Sequence, residues 1–334
     1  MKKRLATLTA LAVTAMMAFT GCGGGNNKPA EETGTDKPAG GAVELTLGTG
    51  GTTGTYYAVG GTMSTVLNNA MENVNLKVVS TGASKANILD IDDKVSDVAI
   101  VQNDVMYYAF NGTDLFAAEG KFETFSAVAG IYDETCQIIA GSNITSIADL
   151  KGKTVNVGDA GSGVEFNATQ ILAAYGLDIN KDINKVNGSF GDAADSIKDG
   201  KIDAAFITAG APTTAVVDLA ISKSINLLTI DDEHATALIE QYPFYTKTVI
   251  PGGTYNGVKD DVQTLSVRAT LIASNDTSED TIYELTKALF ENKDALASSN
   301  AKFAELDPAL AVQGISVPFH PGAEKYFKEI GVKN

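Results

Sequence analysis

The chain has 334 residues and carries 41 Asp and Glu against 25 Lys and Arg, a net charge of −16. An acidic balance of this size argues against nucleic acid, and against direct adhesion to anionic lipid, as partners. The two histidines, His234 and His320, lack both the i, i+4 spacing and the cysteine partners of a zinc site, so no metal and no cofactor is expected.

Met1-Lys-Lys-Arg4 is a basic head, and residues 5–19 form an apolar run too short for a membrane span of about 20 residues. Residues 1–21 are therefore predicted to be an export signal. The run ends in Phe19-Thr-Gly-Cys22, which resembles a bacterial lipobox in which Cys22 is diacylated after cleavage, although Phe19 stands where leucine is usual. An ordinary signal followed by a chance cysteine is the alternative. Lipidation would place the protein at the outer face of the cytoplasmic membrane or in the periplasm, touching the membrane only through its anchor. Residues 22–42 contain no apolar side chain larger than alanine beyond Cys22 and two prolines, cannot bury enough surface to offset their ordering entropy, and read as a flexible tether. Loss of Lys2, Lys3 and Arg4 with the signal leaves 22 of the 25 basic residues against 41 acidic ones, a net charge of −19. Cys136 then has no disulfide partner, and its apolar surroundings predict a small buried side chain.

From residue 43 strand and helix patterns alternate. Strands are predicted at 43–47, 76–79, 97–101 and 126–131, with helices at 55–69, 84–91 and 103–110 between them. This β-α-β-α-β order implies an α/β fold with a parallel sheet. A strand at 136–140 leads through a capped turn to a strand ending at Val157. A second series follows: helix 164–175, strand 184–186, helix 192–198, strand 203–207, helix 212–220, strand 226–229 and helix 232–242. Residues 265–273 read as a strand, 278–292 as a capped helix and 322–330 as a closing helix. Two βα series predict two lobes, each with its own core. The C-terminal helices have no strands of their own to cover and are expected back on the first lobe. The chain should then cross near 131–137 and return near 265–271, giving lobe 1 as 43–132 with 267–334 and lobe 2 as 133–266.

Three strand-to-helix turns are rich in glycine and hydroxyls: Gly48-Thr-Gly-Gly-Thr-Thr-Gly54, Ser80-Thr-Gly-Ala-Ser84 and Asp159-Ala-Gly-Ser-Gly163. Such turns point free backbone N–H groups and the positive end of a helix dipole at whatever lies in front of them, which suits a small anion. Nucleotide motifs are not met. No lysine follows these glycines as a phosphate loop requires, and Gly48 and Gly50 are followed by Thr53 where the dinucleotide fingerprint needs its third glycine. Nor does Gly161-Ser-Gly163 complete the G-x-S-x-G elbow of a serine hydrolase, so no enzyme activity is expected.

The turn 48–57, the segments Ser80-Thr-Gly-Ala-Ser-Lys-Ala-Asn87 and Ala99-Ile-Val-Gln-Asn-Asp-Val-Met-Tyr-Tyr-Ala109, and further matches at 161–168, 203–212, 250–257 and 320–329 resemble, in order, the signature segments of the TAXI subfamily of solute receptors. These serve tripartite ATP-independent periplasmic (TRAP) transporters. The resemblance implies a type II periplasmic binding protein clamshell with ligand held between the lobes. It also implies a monomeric receptor that hands a glutamate-like amino acid or small organic carboxylate to a membrane permease driven by an ion gradient. An exported sensory or scaffold protein that binds ligand without a permease is the alternative.

The residues fit that role on their own chemistry. Thr53, Gly54 and Tyr56 open the first helix and can hold a carboxylate, with Ser80 and Ser84 completing the cradle. Gln102 ends the third strand and can both donate and accept. From the other lobe Ser162 heads a helix and Thr208 ends a strand. Thr53 and Ser84 could equally be helix N-caps, and Tyr56, Tyr57, Tyr107 and Tyr108 could be divided between core and cleft. Arg268, the one arginine left after signal cleavage, either grips a ligand carboxylate or pins the return strand by pairing with an acid.

Overall fold

The computed structural model describes residues 42–333; the export signal, Cys22 and all of the tether except Ala42 lie outside them. The first half runs β1 (Val43–Gly48), α1 (Thr55–Leu67), β2 (Val74–Val79), α2 (Ser84–Asp92), β3 (Val98–Gln102) and α3 (Asn103–Asn111). Next come the long β4 (Phe125–Gly141), β5 (Thr154–Asn156), α4 (Gly163–Ala174), β6 (Asn184–Val186), α5 (Phe190–Lys198) and β7 (Ala204–Ala209). They are followed by α6 (Thr214–Ser222), β8 (Ile225–Leu227), α7 (Asp232–Gln241), β9 (Thr246–Ile250) and β10 (Val262–Ser274). The chain closes with α8 (Glu279–Glu291), α9 (Lys293–Ser299), α10 (Pro308–Ala311) and α11 (Pro321–Glu329). Among the described residues no helix is long and apolar enough to cross a membrane.

The strands form a continuous ladder in the order β2-β1-β3-β10-β4-β7-β5-β6, with β8 on β4 and β9 on β10. β1 pairs in parallel with β2 and β3, and β5 in parallel with β6 and β7, as crossover helices require. β4 and β10 run antiparallel to each other and join the two parallel halves. The end of β10 at Ala269–Ala273 pairs with β3, whereas its start at Val262–Ser266 pairs with β9; the end of β4 at Thr135–Ala140 pairs with β7.

The core changes along this ribbon. Val128, Ile131 and Tyr132 of β4 and Ala269 and Leu271 of β10 pack with α1, α8 and α11. Cys136 and Ile138, with Leu265 and Val267, pack instead with α4, α7 and the strands of the other half. Two cores thus meet at residues 133–135 and 268, without a loop at either crossing. The two strands expected at 126–131 and 136–140 are one strand of 17 residues. The polar triplet Asp133-Glu134-Thr135 breaks the apolar run in sequence, but β10 supplies a partner for each residue, so the ladder continues through it.

The halves also touch away from the ribbon. Tyr107 and Tyr108 of α3 pack against Phe244, with ring centroids 5.0 and 5.8 Å apart, and Tyr108 lies 4.9 Å from the Phe166 ring of α4 in an edge-on arrangement. Beside this clasp, Gln102 Nε2 donates to Asn167 Oδ1 (3.1 Å) and Asn167 Nδ2 donates to Asp104 Oδ2 (3.1 Å) and Tyr245 Oη (2.8 Å). All four of these polar residues are buried.

Candidate ligand-binding cleft

The strands of each parallel half end at the junction, so the helices that follow them start there. α1 begins after the first glycine turn with Gly54 as its N-cap, and no side chain caps it. Thr53 is therefore not a cap. Ser84 is the first residue of α2 and not its cap either; that place belongs to Ala83, whose φ of 66° is a left-handed value strained for a residue with a Cβ. Ser162 caps α4 by accepting from the Glu165 amide at 3.2 Å, and Ser189 caps α5. Among the described residues no carbonyl or side chain accepts from the amides of Gly50, Gly51, Thr52 or Thr53, nor from those of Gly163 and Val164.

A cleft between the halves collects these ends. Thr53, Gly54 and Tyr56 line it from α1, Ser84 from α2, Gln102 from β3, Ser162 from α4 and Thr208 from β7. The space between its walls, open mouth included, is ≈ 540 Å³. Asp159, Ser189, Phe190 and Glu134 line it as well, and no Lys or Arg does. Tyr56 is the buried member of its pair and Tyr57 is 36% exposed, as adjacent helical positions require.

Two of the residues singled out in the sequence are elsewhere. Ser80 Oγ donates to the Gly50 carbonyl at 2.8 Å and faces a separate groove beside the first turn. Its hydroxyl holds the turn's backbone instead of facing the cleft. Arg268 lies opposite Asp133 in the β4–β10 ladder and donates to its carboxylate at 3.0 Å, over Gly130, whose missing Cβ makes room for the guanidinium. Strand alternation turns Arg268 and Asp133 to the outer groove and Glu134 to the cleft, because successive side chains point to opposite faces. Asp133 is half exposed, so the ion pair is weakened by solvent. Arg268→Met is expected to change ligand affinity by no more than about 0.5 kcal/mol, while lowering stability by up to about 1 kcal/mol. Calorimetric titration beside thermal melting checks both; a large affinity loss at an unchanged melting temperature would return Arg268 to the ligand.

Glu134 is the residue that the sequence reading missed. It is 1% exposed, and its Oε1 accepts a hydrogen bond from the Tyr56 hydroxyl at 2.7 Å. Burial holds its carboxyl well above the usual range, and the charges of Asp104 and Asp133 push the same way against the Tyr56 hydrogen bond. Burial likewise pushes Asp104, behind Gln102, up to about 6. Gln102 is 2% exposed; its backbone N–H donates to Ser84 Oγ at 3.1 Å, and its Oε1 has no partner among the described residues. The two histidines take other roles, His234 stacking on Tyr175 and His320 capping α11.

Two α/β halves on a shared antiparallel ribbon, with a cleft at the strand ends, make the type II periplasmic binding protein clamshell. Fold and cleft together define the class: a two-lobe clamshell with a cleft for a small solute. The chain belongs to the NMT1-like family, whose sequence profile matches residues 47–331. Among solved structures it is similar to a protein from Bordetella bronchiseptica RB50, at 17% identity over 86% of this chain and 88% of that one, with a TM-score of 0.51. It also matches the alkanesulfonate-binding protein SsuA from Xanthomonas axonopodis pv. citri bound to MOPS, at 16% identity over 87% and 85% of the two chains and a TM-score of 0.49. The GluR0 ligand-binding core from Nostoc punctiforme, in complex with (L)-glutamate, matches at 16% identity over 78% of this chain and all of that one, with a TM-score of 0.44. At such identities what is shared is the fold.

Proposed function

We propose that the protein is the receptor of a TRAP transporter, of the TAXI subfamily, tethered through a lipidated Cys22. In this reading it captures a small carboxylate-bearing solute, a glutamate-like amino acid or organic acid, and delivers it to a membrane permease. The observation that carries the reading is that Gly51, Thr53, Gly163 and Val164, whose amides have no acceptor among the described residues, line one cleft, and no Lys or Arg among the described residues lines it with them. Helix N-termini and free amides hold a carboxylate by charge-assisted hydrogen bonds without lysine or arginine. The TAXI assignment rests on the ordered signature segments from residue 48 to residue 329. Thr53, Gly54, Tyr56, Ser84, Gln102, Ser162 and Thr208 are the proposed contacts, and lobes 43–132 with 267–333 and 133–266 are the proposed moving bodies.

Titration of the mature domain with carboxylates and amino acids should give one site per chain. A solute at 100 times its dissociation constant should raise stability by about 2.7 kcal/mol. Binding should also shrink the radius of gyration in solution scattering, as closure of two rigid lobes requires. Binding of neutral sugars or metal ions alone would overturn the carboxylate assignment. Uptake with the reconstituted permease should follow an ion gradient; dependence on ATP hydrolysis would overturn the TRAP assignment.

A further inference from the structure

The cleft has a second pole, and its chemistry is opposite to the first. At one side stand backbone amides and helix N-termini. At the other stands Glu134, on β4, with its Oε1 held by Tyr56 and its second carboxylate oxygen accepting no hydrogen bond among the described residues. Neither does any Lys, Arg or His among the described residues form a salt bridge with it; Arg268 pairs instead with Asp133 and Lys302 with Glu305. The charges of Asp104 and Asp133 disfavour a negative charge on it. Buried without a cation, this carboxyl favours its protonated form, and an ammonium group entering with the ligand favours release of that proton and completes an ion pair.

We propose that Glu134 receives the ammonium group of the solute, so that the cleft selects a zwitterionic amino acid over a purely anionic organic acid. The inference rests on the carboxylate reading for the opposite end of the ligand. A dicarboxylate placed in the same cleft would set a second negative group toward Glu134 with no basic side chain on the wall to offset it. A zwitterion meets both poles. Tyr56 is the positioning residue: its hydroxyl fixes one carboxylate oxygen and leaves the other for the ligand, while Ser84 Oγ, 3.5 Å from that hydroxyl, holds the tyrosine in turn.

The test is a thermal-shift panel of the twenty standard amino acids and their des-amino counterparts, glutarate standing for glutamate, followed by calorimetry on the best binder. Amino acids should stabilise the wild-type protein and their des-amino partners should not. Glu134→Gln should bind the best amino acid at least about thirtyfold more weakly, as expected for removal of one partner of a buried charge pair. The same variant should bind the des-amino partner no worse than wild type does. Tyr56→Phe keeps the shape of the site and should lose a smaller factor, for amino acids only. Wild-type affinity in Glu134→Gln, equal binding of an amino acid and its des-amino partner, or failure of every amino acid to bind overturns the proposal. The methyl ester of the best amino acid separates the two readings. Ester binding as tight as the free acid, still lost in Glu134→Gln, would sink the carboxylate pole and leave the ammonium pole standing.

Discussion

Gly163→Ala should bind solute between about fivefold and a hundredfold more weakly than wild type. Gly163 opens α4 and sits against the first lobe: a Cβ on it would lie 1.7 Å from Gln102 Oε1, 2.5 Å from Gln102 Cδ and 3.0 Å from Val105 Cγ2. The Gln102 side chain is buried and held by Asn167, so it cannot step aside without breaking that bond. Within its own lobe the alanine meets no such obstacle, and a helix prefers it to glycine. The substitution therefore acts on the approach of the lobes and not on the folding of either. Gly61→Ala, with nothing within 4 Å of its added Cβ, is the control and should bind normally. Wild-type affinity and wild-type compaction in scattering for Gly163→Ala would show that the lobes do not close against this point.

Asp104 should give folding stability an unusual pH slope. Its carboxylate accepts from the Val105 amide at 2.8 Å and from Asn167 Nδ2, but burial outweighs both and lifts it from 3.8 to about 6. The folded chain thus keeps a proton that the unfolded chain has released. The stability linked to that proton is fully present below pH 3.8 and is lost as pH rises through about 6. Over the whole interval it amounts to about 3 kcal/mol, of which roughly 1 kcal/mol falls between pH 5 and pH 7. Exposed acids such as Asp149, held below their usual range by hydrogen bonds, slope the other way, so the informative quantity is the difference between wild type and Asp104→Asn. Urea unfolding at pH 5 and pH 7 should show wild type gaining about 1 kcal/mol on Asp104→Asn at the lower pH. A difference between wild type and Asp104→Asn that does not change from pH 5 to pH 7 would mean that Asp104 is ionised in the folded protein across that range.

The α/β class and most elements were legible because each carried its own local signal. Strand 184–186 was placed to the residue, and helix 278–292 was readable from the Ser278 cap. What escaped depended on distant partners. β9, Thr246–Ile250, lies between Pro243 and Pro251 and exposes most of its side chains, so it lacks the apolar run of a strand; pairing with β10 makes it one. Glu134 escaped for the same reason. Alone it reads as a polar break, and only the register with β10 and the reach of Tyr56 from α1 make it a buried acid in a cleft. The glycine turns marked the first pole of the cleft, since helix starts are local. Arg268 drew attention for its rarity, which says nothing about direction: its neighbour Val267 faces the second core while Arg268 itself turns outward to Asp133.

The aromatic clasp of Tyr107 and Tyr108 against Phe166 and Phe244 lies outside the cleft lining, yet it joins the two proposed lobes. Edge-on ring pairs of this kind contribute about 0.5–1.5 kcal/mol each beyond the area they bury. If the proposed lobes move, these rings bias the closing equilibrium on which the solute acts, because observed affinity is the affinity of the closed form scaled by how often that form is visited. Evolution can therefore tune the receptor's working concentration range at these rings, leaving the choice of solute at the cleft untouched.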